Sequence, residues 1–176
     1  MYKLFCVSAA LALACTAATP AKSARYRYTS VAAPLAMRLL AVHNQERARM
    51  GVGPLRWDPR LAAAAASYGP SLARRGRLQH SPKWTRPGQR ENLWMGTRGY
   101  YAPEQMIGHW VREKAYFRRG TFPYVSRTGN WADVSHYTQL IWRSTTHVGC
   151  AVQRSARWDY LICRYSPPGN VDGYRV

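Results

Sequence analysis

Residues 147–165 read HVGCAVQRSARWDYLICRY. His147–Gln153 and Trp158–Tyr165 both alternate apolar and polar side chains, the two-residue period of a strand, so the stretch predicts a β-hairpin. A turn centred on Ala156-Arg157 sets Cys150 directly opposite Cys163. Directly opposed residues have Cα atoms about 4.5–5.5 Å apart, within disulfide reach. Two separate buried thiols are the alternative. The bond is the expected state, because the chain's other cysteines, Cys6 and Cys15, lie in an N-terminal export segment and leave an even pair in the folded part. Closing a loop of this size stabilises by about 3 kcal/mol in the chain-entropy model.

Upstream of the hairpin the period changes to that of helices. From Met37, the residues Leu39, Leu40, His43, Asn44 and Arg47 recur at three-to-four spacing, and Gly51 and Gly53-Pro54 end that helix. Asp58-Pro59 opens a second helix as N-cap and first helical residue. Its inner stripe is Leu61, Ala65, Tyr68 and Leu72, its alanines admit a close neighbour, Gly69-Pro70 should break or kink it, and Gly76 closes it. Residues 80–101 read as loop with a short strand near Asn92–Met95. A third helix runs from Pro103-Glu104 to about Phe117, a basic, aromatic loop spans 118–131, and a short helix covers about Ala132–Trp142. Helices and a terminal hairpin on a chain of 176 residues, 47% hydrophobic, make one small α/β domain with a real core. No internal repeat is visible.

The N-terminus reads as a secretory signal over residues 1–21. Lys3 is its only charge, and Leu4–Ala14 is an apolar run too short to span a bilayer. Cleavage is expected after Ala21 or near Ala18. The alternative, a lipoprotein signal at Leu11-Ala12-Leu13-Ala14-Cys15, would leave Cys15 as a lipid-anchored N-terminus, but alanine rather than leucine stands three before the cysteine. Residues 22–38 form a linker. Secretion to an extracellular or periplasmic space follows, with no transmembrane helix in the mature chain. The net charge of +18 attracts anionic surfaces such as lipid phosphates and cell-wall polymers. Nucleic acid is not the expected partner, since no recognition helix, zinc-finger spacing or RNA-binding aromatic motif accompanies the charge.

Polar residues in apolar places locate the chemistry. Met106, Trp110, Glu113 and Phe117 share one face of the third helix, which puts Glu113 in the inward stripe. A buried carboxylate is costly unless paired, hydrogen-bonded or bound to a metal. On pattern alone, an arginine partner accounts for Glu113 and a hydrogen-bonded structural role for His136, which shares a face with Leu140 and Asp133. Glu91, beside the strand, reads as solvent-facing, and His80 carries no signal by itself. No H-E-x-x-H run, phosphate loop or G-x-S-x-G elbow joins them, so no nucleotide cofactor is expected.

Longer motifs change the weights. His136-Tyr137-Thr138-Gln139-Leu140-Ile141-Trp142-Arg143-Ser144 resembles the first signature of the CAP superfamily, which takes in cysteine-rich secretory proteins, antigen-5 allergens and plant pathogenesis-related-1 proteins. Tyr160-Leu161-Ile162-Cys163-Arg164-Tyr165-Ser166-Pro167-Pro168-Gly169-Asn170-Val171 resembles the second. His43-Asn44 with Arg47, Pro54–Asp58, Leu78–Ser81, Glu91–Leu93 and Trp110–Lys114 match in the family's order, so the resemblance covers residues 39–173. It implies an α+β fold, a three-layer α-β-α sandwich around a central antiparallel sheet. It also implies a cleft lined by two histidines and two glutamates, which by motif are His80, Glu91, Glu113 and His136. The chain departs from the pattern at Val134-Ser135, where many relatives carry Cys-Gly or Gly, and at Arg90, where a glycine precedes the glutamate. Cysteines that pair elsewhere in those relatives, and the cysteine-rich hinge of channel-blocking members, are absent from this sequence.

What the resemblance implies for function is a monomeric binding protein with a divalent-metal site, of the Zn²⁺ type, on His80 and His136. Glu91 and Glu113 would be supports or additional ligands. A lipid or cell-envelope ligand is a further expectation; Tyr116, Phe117, Phe122, Tyr124 and Trp131 either pack the long loop, the favoured reading, or line an apolar groove for it. The alternative is a hydrolase, a peptidase or esterase, using the same cleft. It would use metal-bound water with Glu113 as general base, or His136 and Glu113 with Ser81 as the hydroxyl.

Overall fold

The computed structural model describes residues 34–176, so the signal segment, its cysteines and most of the linker lie outside the described residues. The hairpin forms as the alternation predicts. Strands β3 (His147–Arg154) and β4 (Trp158–Ser166) pair antiparallel, with Arg154 opposite Asp159 and Cys150 opposite Cys163. The cysteines are bonded, their Cα atoms 4.1 Å apart. On the other side of β4 lies the antiparallel strand β2 (Arg90–Thr97), longer than the expected Asn92–Met95 because Glu91 and Gly96 also pair. A two-residue strand not foreseen, β1 (Arg56–Trp57), runs parallel to β3, so the sheet is mixed, in the order β1-β3-β4-β2.

Helices cover both faces. Helix α2 (Pro59–Arg75) lies on one, with Ala65 and Leu72 packed on Leu93, Tyr160 and Ile162. Helices α1 (Leu35–Arg49), α3 (Pro103–Arg112) and α4 (Ser135–Leu140) lie on the other, around Leu39, Ile107, Trp110, Leu140, Leu161 and Tyr165. Successive residues of β4 serve opposite layers, so a strand covered on both faces is almost continuously buried. Helix α1 takes in residues 35–38, which the sequence pattern assigns to the linker.

Local chemistry sets the boundaries. The Asp58 carboxylate accepts the Arg60 and Leu61 amides and starts α2, and Gly76 ends it at φ 65°, a backbone setting that favours glycine. Pro70 does not break the helix. It is exposed, so water can solvate the carbonyl that lacks its N–H partner, while Gly69 beneath it packs on Gln153. Gly149 of β3 lies so close to the first turn of α2 that a Cβ there would fall 2.2 Å from the Ala62 amide nitrogen. Helix α3 ends at Arg112 rather than near Phe117 and continues as a 3-10 turn, Glu113–Ala115. Another 3-10 turn, Trp131–Val134, leads into α4.

Two buried polar residues of α1 tie the layers together. The Arg47 guanidinium donates to the carbonyls of Gly53, Leu140, Trp142 and Thr145. His43, 0% exposed, donates from Nδ1 to the Leu39 carbonyl and accepts at Nε2 from the Tyr165 hydroxyl. Burial, which the Leu39 bond only partly offsets and the nearby Arg47 charge reinforces, brings the His43 imidazole from 6.5 down to about 4.

Two outcomes follow. Replacing Cys150 and Cys163 by serine is expected to lower the unfolding free energy by about 3 kcal/mol, measured by urea denaturation. The unfolded chain binds a proton on His43 below pH 6.5 that the folded chain refuses down to about pH 4. His43 therefore contributes a loss of stability as pH falls through that window, on the order of 3 kcal/mol in total. Denaturation curves across the window should show a shallower slope in His43→Gln.

Candidate functional site

Glu91 and Asn92 are neighbours on β2, an outer strand of the sheet, and therefore point to opposite faces. On the α2 side, Glu91 has a side chain with no solvent exposure and a full set of partners. His80 Nδ1 lies 2.7 Å from Oε1, the Ser81 amide donates to Oε1 at 3.0 Å, and the Ser81 hydroxyl donates to Oε2 at 3.1 Å. Arg164, directly across the ladder, reaches Oε2 at 3.0 Å. Burial opposes the charge on Glu91. The His80 bond, the Arg164 charge and the Ser81 amide outweigh it, so the carboxyl stays below the usual range and ionised. The reading of Glu91 as solvent-facing, which the residue pattern alone supports, is thus overturned: its neighbours compensate the charge and close over it.

On the other face, Asn92 donates to the His136 carbonyl at 3.0 Å and to the Tyr165 hydroxyl at 3.4 Å, which links the site to His43 in the core. The His136 ring is held from two directions by the end of α3 and the 3-10 turn that follows it. Trp110 lies parallel to it, 7° between planes and 5.8 Å between centroids, and Glu113 Oε1 sits 2.6 Å from Nδ1. Glu113 Oε2 also accepts the backbone N–H groups of His136 and Tyr137. Those are first-turn amides of α4, whose N-cap Val134 offers no side-chain acceptor, so Glu113 caps the helix that carries its histidine. Its inward position follows from this, and its partner is a histidine and a helix end rather than an arginine.

His80, Glu91 and His136 line one cleft of about 580 Å³, together with Lys83, Arg86, Arg90, Phe122, Trp131 and Asn170, among others. Glu113 stands behind His136 and is not part of the lining. His80 is 54% exposed and His136 29%. Both present Nδ1 to a carboxylate, which accepts, so the neutral ring carries its hydrogen on Nδ1 and its lone pair on Nε2, an atom with no protein partner among the described residues. No three His, Cys, Asp or Glu side chains gather as a ligand cluster among the described residues. Two imidazoles, each backed by a carboxylate, are the groups of this cleft that could hold a divalent ion, with water completing its shell. The Ser81 hydroxyl, the nucleophile of a metal-free hydrolysis, donates to Glu91 rather than to an imidazole.

Of the five aromatic residues suggested for an apolar groove, Phe122 and Trp131 line this cleft, edge to face at 5.5 Å. Phe117 packs on Tyr137 in the core, and Tyr116 and Tyr124 are exposed. Sequence reasoning missed Asn92, Arg164 and Asn170 as organisers of the site. A charged residue amid the apolar run of β4 was the available signal for Arg164. Asn170, at φ 52°, clamps α4 by accepting from Thr138 Oγ1 and donating to the Ser135 carbonyl. Among the described residues no helix is long and apolar enough to cross a membrane.

Residues 40–165 match the model of the cysteine-rich secretory protein family, CAP. Pathogenesis-related protein 1C of Nicotiana tabacum is 39% identical over 137 residues, which span 76% of each chain. Pathogenesis-related protein 1 of Arabidopsis thaliana is 39% identical over 132 residues, 74% of this chain and 75% of that one. Among solved structures, that of NaASP2 with Zn²⁺ shares the fold at a TM-score of 0.68 and 23% identity, covering 81% of this chain and 85% of that one. BmVAL-1 shares it at 0.65 and 21%, covering 80% of each.

The Glu91–Arg164 pair sets a stability test. Glu91→Gln leaves Arg164 as a buried cation without a carboxylate and should cost about 3–5 kcal/mol in urea denaturation. Adding Arg164→Met should recover part of that loss, giving less than the sum of the two single changes.

Proposed function

The chain belongs to the cysteine-rich secretory protein family, and from that membership and the geometry of its cleft we propose that it is a secreted binding protein whose two imidazoles hold a divalent cation. The observation that carries the reading is the matched pair of His–Glu contacts. Two histidines from different parts of the fold each turn Nδ1 to a carboxylate, and both line one shared cleft. A carboxylate behind the ring fixes its tautomer and raises its basicity, the usual support for a metal-bound histidine. Glu91 and Glu113 are in that supporting role, since their oxygens are already occupied by Nδ1, amide, hydroxyl and guanidinium donors.

The Zn²⁺ in the NaASP2 structure, a chain of the same fold, supports a transition-type ion. An ion bound through two imidazoles and water is exchangeable and open to a further ligand. The metal-free form of the hydrolase alternative lacks a comparable observation, because among the described residues no hydroxyl pairs with either cleft imidazole. Secretion accords with the family and with the signal-like residues 1–21, and the charge of +18 favours attachment to anionic envelope material.

Isothermal titration of Zn²⁺ into chelator-stripped protein should show saturable binding. His80→Ala and His136→Ala should each weaken it by at least about tenfold, and Glu113→Gln by a similar or smaller factor through its hold on His136. An unchanged affinity in His80→Ala would refute the assignment.

A further inference from the structure

The lining of the cleft carries charge that the protein does not neutralise. Lys83, Arg86 and Arg90 all line it, and no carboxylate lies within salt-bridge distance of any of the three among the described residues. Arg86 is the most telling, since it is only 8% exposed. A largely buried arginine commonly has an anionic partner. Its hydrogen bonds go instead to backbone carbonyls, from Nε to Ser81 at 3.2 Å and from Nη1 to Gln89 at 3.3 Å. Arg90 is held the same way, from Nε to Gly169 at 2.9 Å and from Nη2 to Asn170 at 3.1 Å.

Carbonyls fix the planes of both guanidinium groups without cancelling their charge. Each keeps one terminal nitrogen, Nη2 of Arg86 and Nη1 of Arg90, with no partner among the described residues. The cleft's own carboxylates do not fill the need. Glu91 is already shared by His80, Ser81 and Arg164, and Asp172 is exposed and pairs with none of the three. Near Arg86, Arg164 adds a further buried cation whose Nε and Nη1 have no hydrogen bond among the described residues. The local excess is positive, and its two arginines are held in place.

We propose that the cations lining the cleft, Lys83, Arg86 and Arg90, form an anion site that takes a carboxylate or phosphate group of the ligand entering it. Two guanidinium groups pre-set by backbone carbonyls suit paired anionic oxygens, at little ordering cost on binding. Phe122 and Trp131 supply an apolar surface in the same cleft, so the anion can be a free oxyanion or the head of an amphiphile. The site goes beyond the cation reading and does not need it, since none of its three residues is an imidazole.

The test uses chelator-stripped protein, so that a failure of metal binding leaves it intact. Inorganic phosphate and dodecyl phosphate, below its micelle concentration, are titrated by calorimetry. Saturable binding should weaken by at least about tenfold in Arg86→Gln and by a smaller factor in Lys83→Ala and Arg90→Gln, and should be unchanged in Arg60→Ala, an exposed cation of α2 outside the lining. Equal affinity for the two probes identifies a free oxyanion. Tighter dodecyl phosphate that loses its advantage in Trp131→Ala identifies an amphiphile. If Arg86→Gln does not fold, the two milder variants decide. Absence of saturable binding, or losses in Arg60→Ala as large as in the cleft variants, would overturn the proposal and leave only the general charge of the chain.

Discussion

A carboxylate with no solvent exposure, on the outer strand of a sheet, is the constraint around which the rest of this molecule is arranged. Glu91 stays ionised in the interior because four donors from two segments meet it: a ring, an amide, a hydroxyl and a guanidinium. Each donor is also placed by it. The loop carrying His80 and Ser81 is drawn onto the end of the strand, and Arg164 is held in the apolar run of β4. The next residue, Asn92, turns to the opposite face and reaches the carbonyl of His136. The two-residue period of one strand thus couples two histidines that approach from different layers of the sandwich.

The second half of the site follows another logic. Glu113 is one helical turn beyond Trp110, and together they hold the His136 ring by its edge and its face. The same carboxylate completes the first turn of α4, so orientation of the ring and formation of the helix are a single event. Behind both halves, His43 and Tyr165 join the site to the core through a neutral imidazole whose protonation the interior opposes. Chemistry at the cleft and stability of the domain therefore share residues, and substitutions of the glutamates must be read with a folding measurement beside them.

Much of this was legible along the chain. Alternation in residues 147–165 placed the hairpin and its bridge, because a strand pair has one register and the cysteines fit it. Capping chemistry at Asp58 and Gly76 placed α2. Pro70 misled because its effect depends on exposure, which a local motif does not carry. Strand β1 was too short for any periodic signal, and the full length of β2 depends on a partner strand far away in sequence. Of the site, the inward lean of Glu113 was visible in helical spacing, and long motifs supplied the other three residues. The burial of Glu91 was not visible, since it rests on Arg164 and Ser81 arriving from elsewhere in the chain. The uncompensated charge of Arg86 was equally hidden, because composition counts arginines without saying which of them lack a counter-ion.

The central physical statement is that carboxylates set both rings in the tautomer with hydrogen on Nδ1, leaving the lone pair on Nε2. Imidazole in water favours the other tautomer, so the arrangement leaves a distinct signature. Two-bond ¹H–¹⁵N correlation spectra of the metal-free protein, recorded where the imidazoles are neutral, report it directly. His80 and His136 should both show a protonated Nδ1 and an unprotonated Nε2. A protonated Nε2 on either ring would mean that its carboxylate does not hold it, and would contradict a cleft built on two carboxylate-backed imidazoles.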